Sequence, residues 1–528
     1  MKLNKIERLK HSLPPFEFDI SRVDFNNLSE SDRFYLKNFG IYNSKLRPKD
    51  FFIRVRVAAG KIGKEKISFI LNLAKEFDIK LITTARAQIE LHNLNSNNVY
   101  LIYKLLQENG ITTHQTLTDN FRNIVTTPFD GKSKDNRIFC YPIILEMQNI
   151  ILDNPKFFGM IPRKFNSAIC GDEFSSFGYF GNDLYFGLAK KGERLGFNLY
   201  VGGKNSVGAK DINIFVEPKD VARLFEIVAN IYLQKGPREN RAKSRFFFLV
   251  EAIGVDGLRE LIKREFKELE EKGEYLVKKE PFRREKDNIF CYETKYGDVE
   301  IEELEKIINL ATDIWFGVDQ NIYYEGKRVK AVENRASLEI TACAGRRYCP
   351  LSLWDIKSDT SYLPIELIKK HNITIGFSGC LKGCGRHHFA DIGLVGLRTN
   401  IYGKTAKAAR LFLGGVYSKE QAKAARLIFY AIPLEHLSST ITLIIEEFLR
   451  YGYEDFEEFS INILNRYSEG FLMVWFLSKI YLGHNLLLDK DEKELFKELQ
   501  DLPDFPQGQE YIEIVDFLKH KVWDYKDL

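Results

Sequence analysis

Seven cysteines occur in this 528-residue chain, and four of them fall close together: Cys343, Cys349, Cys380 and Cys384. Five residues separate the first pair, three the second, and thirty lie between the pairs. Cys140, Cys170 and Cys291 are scattered. An odd thiol count in a chain whose first residues, Met1-Lys2-Leu3-Asn4-Lys5, lack the apolar run of a secretory signal argues against a disulfide framework. Four thiolates hold either a tetrahedral zinc or an iron–sulfur cluster. Structural zinc usually takes knuckles of about two to four intervening residues, so the first pair is wide for it. A cluster with separate iron corners accepts unequal loops. Gly379, Gly383 and Gly385 flank the second pair and let backbone amides approach the sulfurs. Spacing favours a cluster and leaves zinc, or unrelated buried cysteines, as alternatives.

The elements that position these residues show an internal repeat at an offset of about 235 residues. In the first copy, Phe51 to Val57 reads as a strand, Gly60 as a turn, and Ile67, Ile70, Leu71 and Ala74 as the apolar face of a helix. A second strand, Leu81 to Leu91, contains Arg86-Ala87-Gln88-Ile89. In the second copy, Ile289 to Tyr292 is the strand, Gly297 the turn, and Leu304, Ile307, Ile308 and Ala311 the helix face. Its second strand, Ile314 to Tyr324, contains Asp319-Gln320-Asn321-Ile322. Helical period followed by alternation, twice, predicts two strand–helix–strand units. Where the first copy has Arg54 and Arg86, the second has Cys291 and Asp319. Between the copies lies a mixed α/β stretch with a basic turn at Pro162-Arg163-Lys164, a glycine-rich strand region at Tyr179–Gly203 and a charged helical run at Leu258–Lys278.

Composition narrows the class without naming a ligand. The chain is 45% hydrophobic and 28% charged, with a formal net charge of +4, which is too weak at this length to argue for nucleic acid. The longest apolar run, Phe471–Leu482, is broken by Ser478 and Lys479 and is too short to span a bilayer. A cytoplasmic protein is expected. No Gly-x-Gly-x-x-Gly opens a helix after a strand, so nicotinamide or flavin binding is not indicated and electrons for any redox chemistry must come from outside.

The segment Thr341-Ala342-Cys343-Ala344-Gly345-Arg346-Arg347-Tyr348-Cys349-Pro350, then Gly379-Cys380-Leu381-Lys382-Gly383-Cys384-Gly385 and Ala390-Asp391-Ile392-Gly393, closely resembles the sirohaem and iron–sulfur signature of assimilatory nitrite and sulfite reductases. The resemblance covers roughly residues 35 to 465. It implies an α+β, three-lobed sirohaem reductase fold with two duplicated ferredoxin-like half-domains and two mixed α/β lobes; beyond it, the charged pattern with aromatics predicts a helical C-terminal extension. The expected divisions are 1–120, 121–279, 280–340, 341–467 and 468–528, the last of unassigned role. It implies sirohaem and a [4Fe-4S] cluster as cofactors, with Cys343, Cys349, Cys380 and Cys384 as cluster ligands and Cys384 shared with the sirohaem iron. By the same likeness Arg54, Arg122, Lys164 and Asn166 point at the substrate, and Thr84, Arg86 and Arg163 contact sirohaem carboxylates. His387 and His388, just past Cys384, are expected to be packed or at the surface, and Arg346 and Arg347 to be solvated or to meet an acidic donor.

The resemblance implies six-electron reduction of nitrite to ammonium, with ferredoxin or a similar external donor and a monomeric chain binding neither membrane nor nucleic acid. Sulfite-type enzymes typically carry a second lysine where this chain has Asn166, and an amide there resembles the nitrite reductases. Cys349-Pro350-Leu351, Cys384-Gly385-Arg386 and His92 look more like the sulfite enzymes, and Arg86-Ala87-Gln88 departs from the Arg-Gln-Asn of both. The substrate-facing position carries more weight, so nitrite leads and sulfite reduction to sulfide is the alternative. An enzyme like precorrin-3B synthase and a non-catalytic, zinc-stabilised module are the remoter readings.

Overall fold

A computed structural model describes residues 3–175, 178–279, 289–327, 340–401, 403–420, 422–508 and 510–523. The expected boundary between 279 and 280 therefore falls at the edge of the described residues. The chain divides into two units, one of residues 1–336 with 418–421, the other of 337–417 with 422–528.

In the first unit, both repeat copies are present, and each second strand turns out to be a hairpin. β1 (Ile41–Ser44), β2 (Arg47–Arg54), β3 (Lys80–Thr83) and β4 (Ile89–Leu94) form a sheet in the order β1-β2-β4-β3, with Asp298–Val299 of the second copy added antiparallel to β3. The predicted strand Leu81 to Leu91 breaks because Thr84 to Gln88 close a turn, with Ala87 at a φ of 51°. Arg86 thus sits on a hairpin tip. The second copy repeats this with strands Ile289–Tyr292, Ala311–Phe316 and Ile322–Gly326, its tip at Asp319 to Asn321. Helices Lys64–Glu76 and Ile301–Leu310 carry the predicted apolar faces and pack on each other, except that Ala311 begins a strand instead of extending the helix face. Alternation could not reveal the hairpins, since apolar residues continue through both arms.

This unit also contains a sheet ordered Glu274–Tyr275, Leu184–Lys191, Arg194–Val201, Lys210–Val216, with Ser167–Cys170 parallel to Leu184–Lys191. Helix Phe246–Glu265 packs on two of these strands. It begins earlier than the predicted helical run at Leu258–Lys278 and ends before it. Beyond Glu265 the chain contributes short strands instead.

The second unit is built on one sheet, ordered Ile340–Ala342, Ile375–Ser378, Ile392–Ile401, Lys404–Leu413, Arg426–Pro433. The first three strands are parallel and the last two antiparallel. Adjacent parallel strands need a crossover of a dozen or so residues or more, which explains the thirty residues between the cysteine pairs. The C-terminal extension forms helices Glu469–Leu482, Glu492–Gln500 and Tyr511–Trp523. Phe476 and Trp523 meet Phe429 of the last strand, so the apolar run at Phe471 is a helix buried against the sheet. Among the described residues, no helix is long and apolar enough to cross a membrane.

Candidate functional site

Two chain segments zip together to make a cationic platform in the first unit. The Arg122 N–H donates to the Phe165 carbonyl (2.8 Å), and the Phe165 N–H donates to the Asn120 carbonyl (3.0 Å). The parallel pairing continues at Val125 and Ala168. It sets Arg122 alongside the Lys164–Asn166 turn, although 42 positions separate Arg122 from Lys164. The hairpin tip docks on the same ladder. Arg86 donates to the carbonyls of Asn123 and Ser167 and, at 3.0 Å, to Asn182 Oδ1. Asn123 returns a bond to the Arg86 carbonyl (3.0 Å), and Thr84 Oγ1 accepts the Arg86 N–H (3.3 Å). Asn166 is buried, its backbone N–H bound to Asp183 Oδ2 (2.8 Å). Lys164 is half-buried.

Like charges crowd this platform. Arg122 donates to the Thr116 and Thr118 carbonyls, while its buried Nε–H has no partner. Burial, and then the neighbouring charges of Arg54, Arg86 and Arg163, hold its guanidinium well below the ordinary arginine range. Such an assembly is costly unless an anion completes it. Arg54, at the end of β2, is partly compensated: its Nε donates to Glu90 Oε1 at 2.7 Å, and its Nη2 pairs with the same oxygen. The other Glu90 oxygen accepts from His92 Nε2 (2.8 Å). Burial pushes the Glu90 carboxyl up, but Arg54 and His92 outweigh it and leave it at about 2. Arg163 lies 3.2 Å from buried Asp119, which also pairs with Lys10 of the N-terminal helix Lys5–Ser12 and with Arg241.

Sequence reasoning missed the groups that hold this platform. Arg56 is buried beyond β2 and donates to Gln148 Oε1 (2.9 Å) and to the carbonyls of Phe121 (3.0 Å) and Arg122 (3.2 Å). Burial lowers its guanidinium to about 10. Its signal was the Arg-x-Arg spacing of Arg54 and Arg56. Glu90, Asp119 and Asp183 gave no signal, because an isolated acid is ordinary until its partners are known.

In the second unit, the four thiols lie at or beyond the carboxyl ends of two adjacent parallel strands, where open α/β sheets place their ligands. Cys343 follows strand Ile340–Ala342 directly, and Cys380 and Cys384 follow Ile375–Ser378. Cys343 Sγ accepts the N–H groups of Gly379 (3.0 Å) and Gly345 (3.4 Å). A Cβ at Gly379 would lie 2.1 Å from Ser352 Oγ, so glycine there permits the close approach. Burial, then the nearby Cys384, pushes the Cys343 thiol up to about 12 against those amides. A metal bound at this thiol must displace its proton. Among the described residues, no three His, Cys, Asp or Glu side chains converge closely enough to hold a single ion. Cys384 is exposed, whereas the other three are half-buried.

Asp391 of the Ala-Asp-Ile-Gly tail is structural: its carboxylate accepts from the Thr374 N–H (2.8 Å) and the Tyr417 hydroxyl (3.1 Å). His387 and His388 are packed, their rings 4.3 Å apart and both against Phe412. Burial and His388 bring His387 down to about 3. Arg347 pairs with Asp355 at 2.8 Å.

A family model described as the nitrite/sulfite reductase ferredoxin-like half domain matches residues 45–109, and one described as the nitrite and sulphite reductase 4Fe-4S domain matches residues 117–269. Over these residues the chain is similar to the nitrite and sulfite reductases. The two matches hold Arg54 and Arg86, and Arg122, Lys164 and Asn166, while the cysteine quartet lies outside both. A ferredoxin–nitrite reductase of Leptolyngbya laminosa is 26% identical over 502 residues, 84% of this chain and 97% of that one. An assimilatory ferredoxin-dependent nitrite reductase of Haloferax mediterranei is 23% identical over 491 residues, covering 79% and 83%. The solved structure of the Mycobacterium tuberculosis NirA protein matches with a TM-score of 0.76 at 21% identity, covering 89% of this chain and 97% of that one. That likeness extends the fold over most of both chains.

Proposed function

We propose that this chain reduces nitrite to ammonium, using sirohaem and a [4Fe-4S] cluster and taking electrons from ferredoxin or a similar donor. The carrying observation is the thiol quartet at the ends of two adjacent parallel strands, with peptide amides aimed at Cys343. When bound, the two groups supply the electrons and the iron at which the oxyanion is reduced. Cys343, Cys349, Cys380 and Cys384 would hold the cluster, and Cys384, the exposed one, would also serve the sirohaem. Thr84, Arg86 and Arg163 hold the tetrapyrrole's carboxylates, a role suited to guanidinium forks.

Arg54, Arg122 and Lys164 bind the substrate anion, orient it and stabilise charge that develops as N–O bonds break. Lys164 also offers ammonium protons to the bound anion. Asn166 offers a neutral donor, which suits a small monoanion. The relatives named as ferredoxin-dependent nitrite reductases support both substrate and donor.

The test is product analysis with purified holoenzyme and a chemical reductant. Ammonium from nitrite, with a higher kcat/KM than for sulfite, is the expected result. Sulfide from sulfite with negligible ammonium from nitrite would overturn it in favour of the sulfite reading.

A further inference from the structure

The two repeat copies build the same hairpin around different cross-strand pairs. In the first copy Arg54 stands opposite Glu90, four residues past Arg86. In the second copy Cys291 stands opposite Tyr323, four residues past Asp319. There the pair is uncharged: Tyr323 is buried with Ile289, Trp315 and Phe129, its hydroxyl donating to Asp319 Oδ2 (2.7 Å), and Cys291 packs against them. The scaffold therefore does not need an ion pair at this register. Burying one carries a desolvation cost that a neutral pair avoids, so its presence in one copy calls for a reason other than stability.

We infer that Glu90 is a specificity-determining residue, a fixed negative charge that lowers the positive potential of the anion pocket and so favours a monoanion over a dianion. This rests on the functional reading above. Glu90 is 5% exposed and takes two of the Arg54 donors on one oxygen, while His92 holds the other oxygen in place. It remains ionised through the whole neutral range. Of the arginines beside Arg122, Arg54 is thus matched by a carboxylate on its own hairpin. Arg163 has only a share of Asp119, which Lys10 and Arg241 also claim. A unit charge several ångströms away in a partly buried site changes the relative affinity for ligands differing by one charge roughly tenfold. Asn166 acts in the same direction by supplying no charge. Selectivity then comes from limiting attraction to the wrong ligand as well as binding the right one.

The experiment is spectroscopic titration of oxidised holoenzyme with sodium nitrite and with sodium sulfite above neutral pH, where sulfite is the dianion. Glu90→Gln is expected to shift the ratio of dissociation constants about tenfold towards sulfite, and Glu90→Asp to restore it. Should Glu90→Gln fail to fold, Glu90→Asn is the second neutral variant and should shift the ratio the same way, while Glu90→Asp keeps the wild-type ratio. Equal weakening of both anions in the neutral variants, or an aspartate variant shifted as far as they are, would overturn the inference alone. A wild-type holoenzyme that binds neither anion would overturn the functional reading and this inference with it.

Discussion

Arg54 and Arg122 donate to the same acceptor, the carbonyl oxygen of Thr116. One residue ends a strand and the other follows a loop, so only the fold brings their guanidinium groups onto one oxygen. Two cations on one dipole repel each other, and an arriving anion relieves that repulsion. Under the proposed function, this crowding preorganises the platform for negative charge.

Replacing Arg122 should separate binding chemistry from folding. Arg122→Ala is expected to lower kcat/KM for nitrite by about 10²- to 10³-fold, because the orphaned Nε–H and the charge are lost together. Lys164→Ala should behave similarly. Denaturation midpoints measured beside the kinetics should fall less than in Arg56→Ala, because relief of repulsion from Arg54, Arg86 and Arg163 offsets the lost bonds to the Thr116 and Thr118 carbonyls, and losses of matching size would point to a structural role.

Arg56 should show the reverse pattern. It ties the carbonyls of Phe121 and Arg122 to the end of β2 with no carboxylate partner among its hydrogen bonds. Arg56→Ala leaves buried carbonyls unsatisfied and should cost about 3 kcal/mol or more in urea unfolding. A variant of wild-type stability would show that water satisfies those groups.

Cys384→Ser removes the one exposed thiol of the quartet. Iron and acid-labile sulfide per chain should fall, the visible spectrum should change, and nitrite turnover should disappear. Normal turnover in this variant would remove Cys384 from the site.

The C-terminal helices carry a proton-linked stability term. Burial, then the charge of Lys479, lowers His484 to about 4, and its Nε2 lies 3.2 Å from Ser478 Oγ. The unfolded histidine, with a pKa of about 6.5, takes up a proton that the folded one refuses. Stability therefore falls as pH drops from about 6.5 to about 4, where both states are becoming protonated. His484→Gln should flatten that part of a stability-versus-pH curve. An unchanged slope would assign the acid sensitivity elsewhere.

The cysteine quartet, the duplicated half-domains and the order of cationic residues were legible in the amino-acid chain, because each is a local pattern of residue type and spacing. The hairpin tips were not, since alternation reads the same through both arms, and a turn made without glycine at Ala87 leaves little trace. The C-terminal extension read only as helical until Phe476 and Trp523 were seen against Phe429. The partners of the charges depended on the tertiary structure most of all. Glu90 beside Arg54, Asp119 beside Arg163 and Lys10, and the ladder joining Arg122 to Phe165 are contacts between distant segments. Residue type determines which groups carry charge, but the strength of each charge depends on burial and neighbours, and only the folded chain supplies those.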